Sequence, residues 1–186
     1  MSGPAKWELE AYVMTCRNDS IADANRALPK GLQHAIRGAA YQSELEQCKA
    51  LIVGHQAYES LPFLKNRNRI VMSTAVKALE HKDSGWWWNP SGMTLTNMLR
   101  VAVAGGGAIG VMGGRKALEY FLLTGVRTFH VCRAESVAIQ DGYKLFADCD
   151  RRTTVDMVLK DRQMRLMERE LIDLRAPISR STWRRH

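Results

Sequence analysis

Proline and cysteine are scarce in this chain, with five prolines and four cysteines in 186 residues. The cysteines (Cys16, Cys48, Cys132 and Cys149) lie far apart and form no CxxC pair. That spacing argues against a zinc site or a disulfide framework, and buried free thiols are expected instead. Long apolar runs are missing too. No window approaches the roughly eighteen uninterrupted apolar residues of a membrane helix, so no membrane partner is expected. The opening Met1-Ser-Gly-Pro-Ala-Lys-Trp-Glu-Leu-Glu10 lacks the apolar stretch of a secretory signal, and a cytoplasmic protein is the expectation. Acidic residues are in deficit, 19 against 27 Lys and Arg, for a net charge of +8. From Arg151 onward ten Lys and Arg face five Asp and Glu, so the tail supplies +5 of that total. The excess is therefore not centred on the core, which weakens the case for a nucleic-acid partner and favours a soluble basic surface.

What is present suits one globular domain, with 46% apolar residues. Leu9 to Cys16 reads as a first strand and Arg17 to Pro29 as a polar loop. Lys30 to Cys48 has helical character with a break near Gly38. Ala50 to Val53 is a short apolar run of the kind found in a doubly covered parallel sheet. Gln56 to Leu61 reads as a short helix stopped by Pro62, and Arg69 to Ser73 as the next strand. Between Val76 and Pro90 stand Trp86, Trp87 and Trp88. Three in a row cannot all face one core, so some are expected to be exposed, as a stacking platform or partner contact or as a lid packed over a loop. Thr94 to Ala104 is a predicted helix ended by glycines, Ala108 to Met112 a strand, Arg115 to Thr124 a helix, and Thr128 to Cys132 a strand. This alternation predicts an α/β fold with a mainly parallel sheet. Thr153 to Leu159 alternates like a strand. Met164, Met167, Leu171 and Leu174 mark one helical face, with a terminal hairpin as the rival. Ser179 to His186 is expected to be disordered.

Two glycine turns carry the chemistry. Gly105-Gly-Gly-Ala-Ile-Gly110 matches GxGxxG literally, but Gly110 is followed by another apolar run rather than by a helix, so it is set aside. Gly113-Gly114 fits better: a strand, paired glycines, then Arg115-Lys116 at a helix start. Free amides, the helix dipole and two cations there suit an anion. Gly54-His55 repeats the strand–glycine–helix pattern, and Ser73-Thr74 follow the adjacent strand. Together these turns predict a nucleotide.

Gly54-His-Gln-Ala-Tyr-Glu-Ser60, Arg67, Ile70-Val-Met-Ser-Thr74 and Val111-Met-Gly-Gly-Arg-Lys-Ala-Leu-Glu-Tyr-Phe-Leu122 together resemble dihydrofolate reductase in order and spacing. Leu28-Pro29, Phe129 to Arg133 and Asp141 to Phe146 fall in register with the same family. The resemblance covers about Leu9 to Phe146. It implies a dihydrofolate reductase-like α/β domain over residues 1–160, with a central, mostly parallel mixed sheet flanked by helices. Residues 161–186 would be a basic extension, a helix or terminal strand plus a disordered tail. The implied activity is an NADPH-dependent reductase of a dihydropterin, with dihydromethanopterin or dihydrofolate as the small-molecule partner. Gly54, Gly113, Gly114 and Arg115 would surround the pyrophosphate, and His55, Ser73, Thr74 and Lys116 the adenosine with its 2′-phosphate. Val13, Met14 and Ile21 would line the nicotinamide. Tyr12, Gly31, Met112 and Cys132 would line the pterin, and Arg67 would bind its tail carboxylate. No metal is implied.

Gly31 stands where the family has an acidic residue, so the proton for the pterin ring needs another source. His34, one helical turn on, is the candidate, with Lys30 and Asp23 behind it. His55 replaces the family's arginine in the first turn, which leaves NADPH against NADH open. Two further readings remain: a pyrimidine reductase of riboflavin synthesis, which shares the fold, and a non-catalytic protein that binds a nucleotide or a partner. The oligomeric state is open, a homo-oligomer included.

Overall fold

The computed structural model describes residues 6–185. A nine-stranded sheet runs in the order β10-β11-β8-β1-β7-β3-β4-β6-β5. Its strands are β1 (Trp7–Cys16), β3 (Ala50–Gly54), β4 (Arg69–Met72), β5 (Leu79–Lys82), β6 (Gly85–Trp88), β7 (Gly107–Gly113), β8 (Thr128–Ala134), β10 (Met164–Asp173) and β11 (Ile178–Arg185). The six central strands from β8 to β6 are parallel, and β5, β10 and β11 pair antiparallel at the two edges. A small separate ladder joins β2 (Ser20–Ala22) to β9 (Tyr143–Lys144). This is the mostly parallel mixed sheet, flanked by helices, that the alternating pattern predicts.

Helices cover both faces, so the inner strands are apolar on both sides. One core gathers Ala11, Val13, Ile52, Val111 and Val131 against α4 (Leu95–Ala102), α5 (Arg115–Thr124) and α6 (Val155–Asp161). The other gathers Met14, Leu51, Val53 and Met112 against α1 (Lys30–Arg37), α2 (Ala39–Glu46) and α3 (His55–Ser60). The predicted break at Gly38 is real: it ends α1 and caps α2. None of the three tryptophans is exposed, contrary to expectation, because strand alternation sends them into two different cores. Trp88 is buried in the first core with Trp86 packed against it, and Trp87 is buried in the second. All four cysteines are buried and free.

The C-terminal expectations need correction. Thr153 to Leu159 is not a strand: Thr154 caps α6 through Oγ1, which accepts from Met157 N–H, and Val155, Val158 and Leu159 bury one face. The supposed helical face is strand β10 and the turn after it: Met164 is buried, Met167 and Leu171 are exposed on the strand, and Leu174 is exposed in the turn. Nor are the residues from Ser179 to Arg185 disordered. They form β11, which pairs with β8 along seven residues and buries Trp183 completely. The rival hairpin is the correct one, and residues 164–185 extend the domain's own sheet.

A chain of ion pairs ties this region down. Arg133 on β8 meets Asp19 at 3.1 Å and Asp156 on α6 at 2.7 Å, and Asp156 also meets Arg169 on β10. Asp19 accepts the first amide of α6, from Val155, at 2.9 Å. Burial opposes the Asp156 carboxylate, but Arg133 and Arg169 outweigh it and hold its pKa below the ordinary value. A depressed carboxylate contributes stability above its unfolded pKa, about 4, and that stability is lost as pH falls through the folded value. The thermal midpoint is therefore expected to drop below about pH 4. Asp156→Asn should show a smaller drop across the same window when melting is followed against pH. An unchanged acid limb in the variant would show that the pair adds nothing.

Candidate functional site

The chain leaves β1 for β3 and later returns to insert β7 between them, so the sheet changes winding direction at this point. Ligand clefts in open α/β sheets form outside the carboxyl ends of strands at such a point. Here a cavity of about 430 Å³ opens there, within the usual range of about 300–1,000 Å³ for small-molecule sites. Its walls come from the ends of β1, β3, β4 and β7, the first turns of α3 and α5, and the loop carrying β2.

The two glycine turns meet in its floor. Gly113 has φ of +134°, which only glycine adopts without strain. The β3–β7 register shifts between Ile52 and Val53, so the bulge at Gly113 re-aims the chain into α5. A Cβ on Gly54 would lie 3.4 Å from both Gly113 O and Gly114 N, so the turns approach backbone to backbone. On Gly114, by contrast, a Cβ would meet nothing within 4 Å. This glycine faces open cavity. It caps the ten-residue α5 with no side-chain hydrogen bond, leaving the first amides of the helix for a ligand.

On the β3–β4 side His55 is half-buried. Its Nδ1 lies 3.5 Å from Ser73 Oγ, its Nε2 lies 3.3 Å from the Glu59 carboxylate, and its ring edge packs on Trp87 at 4.8 Å. Ser73 Oγ also accepts Ala75 N–H at 3.1 Å, which closes the turn that presents Thr74. The opposite wall is apolar, with Met14, Leu28, Ile36 and Met112. Tyr41 closes it. Its hydroxyl donates to the Tyr12 carbonyl at 3.0 Å, and burial drives its pKa well upward.

Thus Val13, Met14, Ile21, Gly54, His55, Ser73, Thr74, Met112, Gly113, Gly114, Arg115 and Lys116 all line one cavity. The other expected residues do not. Tyr12 is buried with its ring stacked on His130 and its hydroxyl donated to Glu10 at 2.8 Å. Cys132 is wholly buried, and burial pushes its thiol up to about 12. Gly31 turns toward Val137, whose Cγ2 would stand 2.9 Å from an added Cβ. Arg67 donates to the Leu45 carbonyl at 2.7 Å rather than lining the cavity. His34 is exposed on α1 and is not among the lining residues, so its role as proton donor loses its geometric basis. Arg26, Tyr41 and Tyr143 line the cavity without having been singled out. For Tyr143 the signal was the Asp141–Phe146 segment; for Arg26 it was only a cation in a polar loop.

No family model matches the sequence, and no curated protein matches it. Solved structures do. One, provisionally described as a riboflavin biosynthesis protein of Shewanella sp. PV-4, superposes with a TM-score of 0.66 at 13% identity, over 96% of this chain and 99% of that one. Another is a diaminohydroxyphosphoribosylaminopyrimidine deaminase/5-amino-6-(5-phosphoribosylamino)uracil reductase of Thermotoga maritima. It superposes with a TM-score of 0.65 at 12% identity over 97% of this chain, which spans 57% of that longer protein. At such identities the likeness is one of fold. The chain has the dihydrofolate reductase-like α/β fold that these riboflavin biosynthesis proteins share.

Proposed function

We propose that the protein is a nicotinamide-dependent reductase whose substrate is an aminopyrimidine carrying a ribosylamino chain. The observation that carries the reading is the pair of glycine turns in the floor of one cavity, with an open approach at Gly114 and uncapped amides at the start of α5. These features fit a dinucleotide. Gly54, Gly113, Gly114 and the α5 amides would hold the diphosphate, with Lys116 beside them. His55, Ser73 and Thr74 would hold the adenosine end, and Val13, Met14 and Ile21 the nicotinamide end. When bound, the reduced nicotinamide supplies a hydride.

The acid–base content of the cavity favours the pyrimidine over a pterin. Reducing a neutral pterin imine needs a proton delivered to a ring nitrogen. Among the described lining residues Glu59 is the only carboxylate, and its side chain is 67% exposed and paired with His55. Tyr41 holds its proton tightly against the Tyr12 carbonyl. An opened ribosylamine needs no such donor in the hydride step. In solution, before binding, its C1′–O4′ bond breaks, O4′ takes a proton from water, and an iminium is left. Hydride adds to C1′ while the C=N electron pair returns to nitrogen, cancelling the charge. The residues then have to bind, orient and exclude water, which Met14, Leu28, Ile36 and Met112 suit. The pterin reading remains second, because the turns around the cofactor would serve either substrate.

The separating experiment mixes purified protein with NADPH and follows nicotinamide absorbance. Steady loss is expected with 5-amino-6-(5-phosphoribosylamino)uracil and none with dihydrofolate or dihydromethanopterin. Turnover of a pterin alone reverses the substrate assignment. If nothing turns over and NADPH does not bind, the protein is a non-catalytic member of the fold.

A further inference from the structure

Tyr143, on β9 at the cavity rim, has two guanidiniums over its ring. Arg115 Cζ stands 3.6 Å from the ring centroid and Arg26 Cζ 5.0 Å. All three residues line the cavity. Arg115 Nε donates to the Lys144 carbonyl at 2.8 Å, which anchors the side chain at the cavity rim. Among the described residues no carboxylate lies within 4.0 Å of either guanidinium. Two cations gathered on one aromatic ring repel each other, and each cation–π contact offsets only about 0.5–1 kcal/mol of that. An anion in the cavity that both guanidiniums line would offset the repulsion.

The position identifies the anion. Arg115 is the first residue of α5, so an anion that it meets also lies at the helix start. Arg26 comes from the other side, on the loop that follows β2. Asp23 Oδ1 accepts from Asn25 and Ala27 amides, both at 2.9 Å, and so holds the tip that presents it. The same loop is tied to the strand of Tyr143 through the Ala22–Tyr143 and Ser20–Lys144 pairs. Resting on the dinucleotide reading above, we propose that Arg26, Arg115 and Tyr143 form a clasp over the cofactor diphosphate, with Arg26 gripping the face opposite the α5 amides. Ile21, Ala22 and Leu28 of this loop line the same cavity, so closing the clasp also sets the wall against which the substrate is placed.

The test is calorimetric titration of wild type, Arg26→Ala and Arg26→Lys with NADPH and with NADH, joined to hydrogen exchange of the amides of residues 20–27. Arg26 is exposed, so its truncation leaves the core untouched. Arg26→Ala is expected to weaken both dinucleotides by the same factor, about tenfold, the loss of one charge-assisted contact. Arg26→Lys should recover part of it. NADPH should slow exchange at residues 20–27 in the wild type and fail to do so in Arg26→Ala. Equal affinity and equal protection in wild type and Arg26→Ala overturns the clasp while leaving the dinucleotide site intact. A loss confined to NADPH moves Arg26 to the 2′-phosphate and overturns the diphosphate assignment. Failure of the wild type to bind either dinucleotide overturns the reading and the clasp with it.

Discussion

Gly114→Asp should abolish dinucleotide binding and leave the protein folded. The two effects separate because a Cβ at this position meets nothing within 4 Å, and its φ of −48° is negative, so no left-handed backbone strain opposes a side chain. The new carboxylate would occupy the open approach to the α5 amides. One negative charge about 4 Å from another costs about 4 kcal/mol near a protein surface, and screening by salt reduces this. A loss of at least about a hundredfold in NADPH affinity is expected, since each 1.4 kcal/mol is a factor of about ten. Gly114→Ala, which adds bulk but no charge, should lose far less. Titration of both variants with NADPH, beside their melting curves, checks the claim. Retained affinity in Gly114→Asp would remove the diphosphate from this turn. Substitution at Gly113 makes a poorer test, because its φ of +134° strains any other residue and confounds folding with binding.

Trp183→Ala should cost about 3–5 kcal/mol of stability, the range for removing a fully buried aromatic. Trp183 has no exposure, belongs to the core beneath α5 and α6, and donates its Nε1–H to Ser181 Oγ at 3.2 Å. It sits opposite Phe129 in the β11–β8 register, so the hairpin contributes to the core rather than decorating its edge. Denaturant unfolding gives the difference directly, and Trp183→Phe should restore most of it. A loss under about 1 kcal/mol would mean that residues 164–185 are peripheral to the folded unit.

The difference between the legible and illegible parts of the fold has a physical source. Ala50-Leu-Ile-Val53 and Ile109 to Met112 could be read because inner parallel strands are apolar on both faces, and continuous runs follow from that. The edge strand β10 has one open side and one solvated face. Its Met164, Met167 and Leu171 recur around Arg165 and the run Glu168-Arg169-Glu170 at spacings that a helix also produces. Strand β11 carries only two large apolar residues, Ile178 and Trp183, and its arginines made it look like a tail. Charge on such an edge is what discourages pairing with another chain.

The site divides in the same way. The glycine turns were legible because glycines are demanded by backbone geometry, and backbone demands are written in residue type: Gly113 for its positive φ, Gly54 for the close approach. The rest of the cavity depends on where a side chain points. Tyr12 and Met14 share one face of β1, yet only Met14, nearer the strand's end, reaches the cavity, while Tyr12 packs on His130. Arg67 matches a family position in sequence, but its guanidinium is taken by the Leu45 carbonyl. Arg26 joins Arg115 over Tyr143 through the β2–β9 pairing, a contact across more than a hundred residues that no local pattern announces.

A crystal structure grown with NADPH tests the central claim most directly. The diphosphate is expected against Gly114 and the first turn of α5, with the nicotinamide beside Val13 and Met14. Density for the dinucleotide at any other surface, or a cleft that stays empty at saturating NADPH, would contradict it.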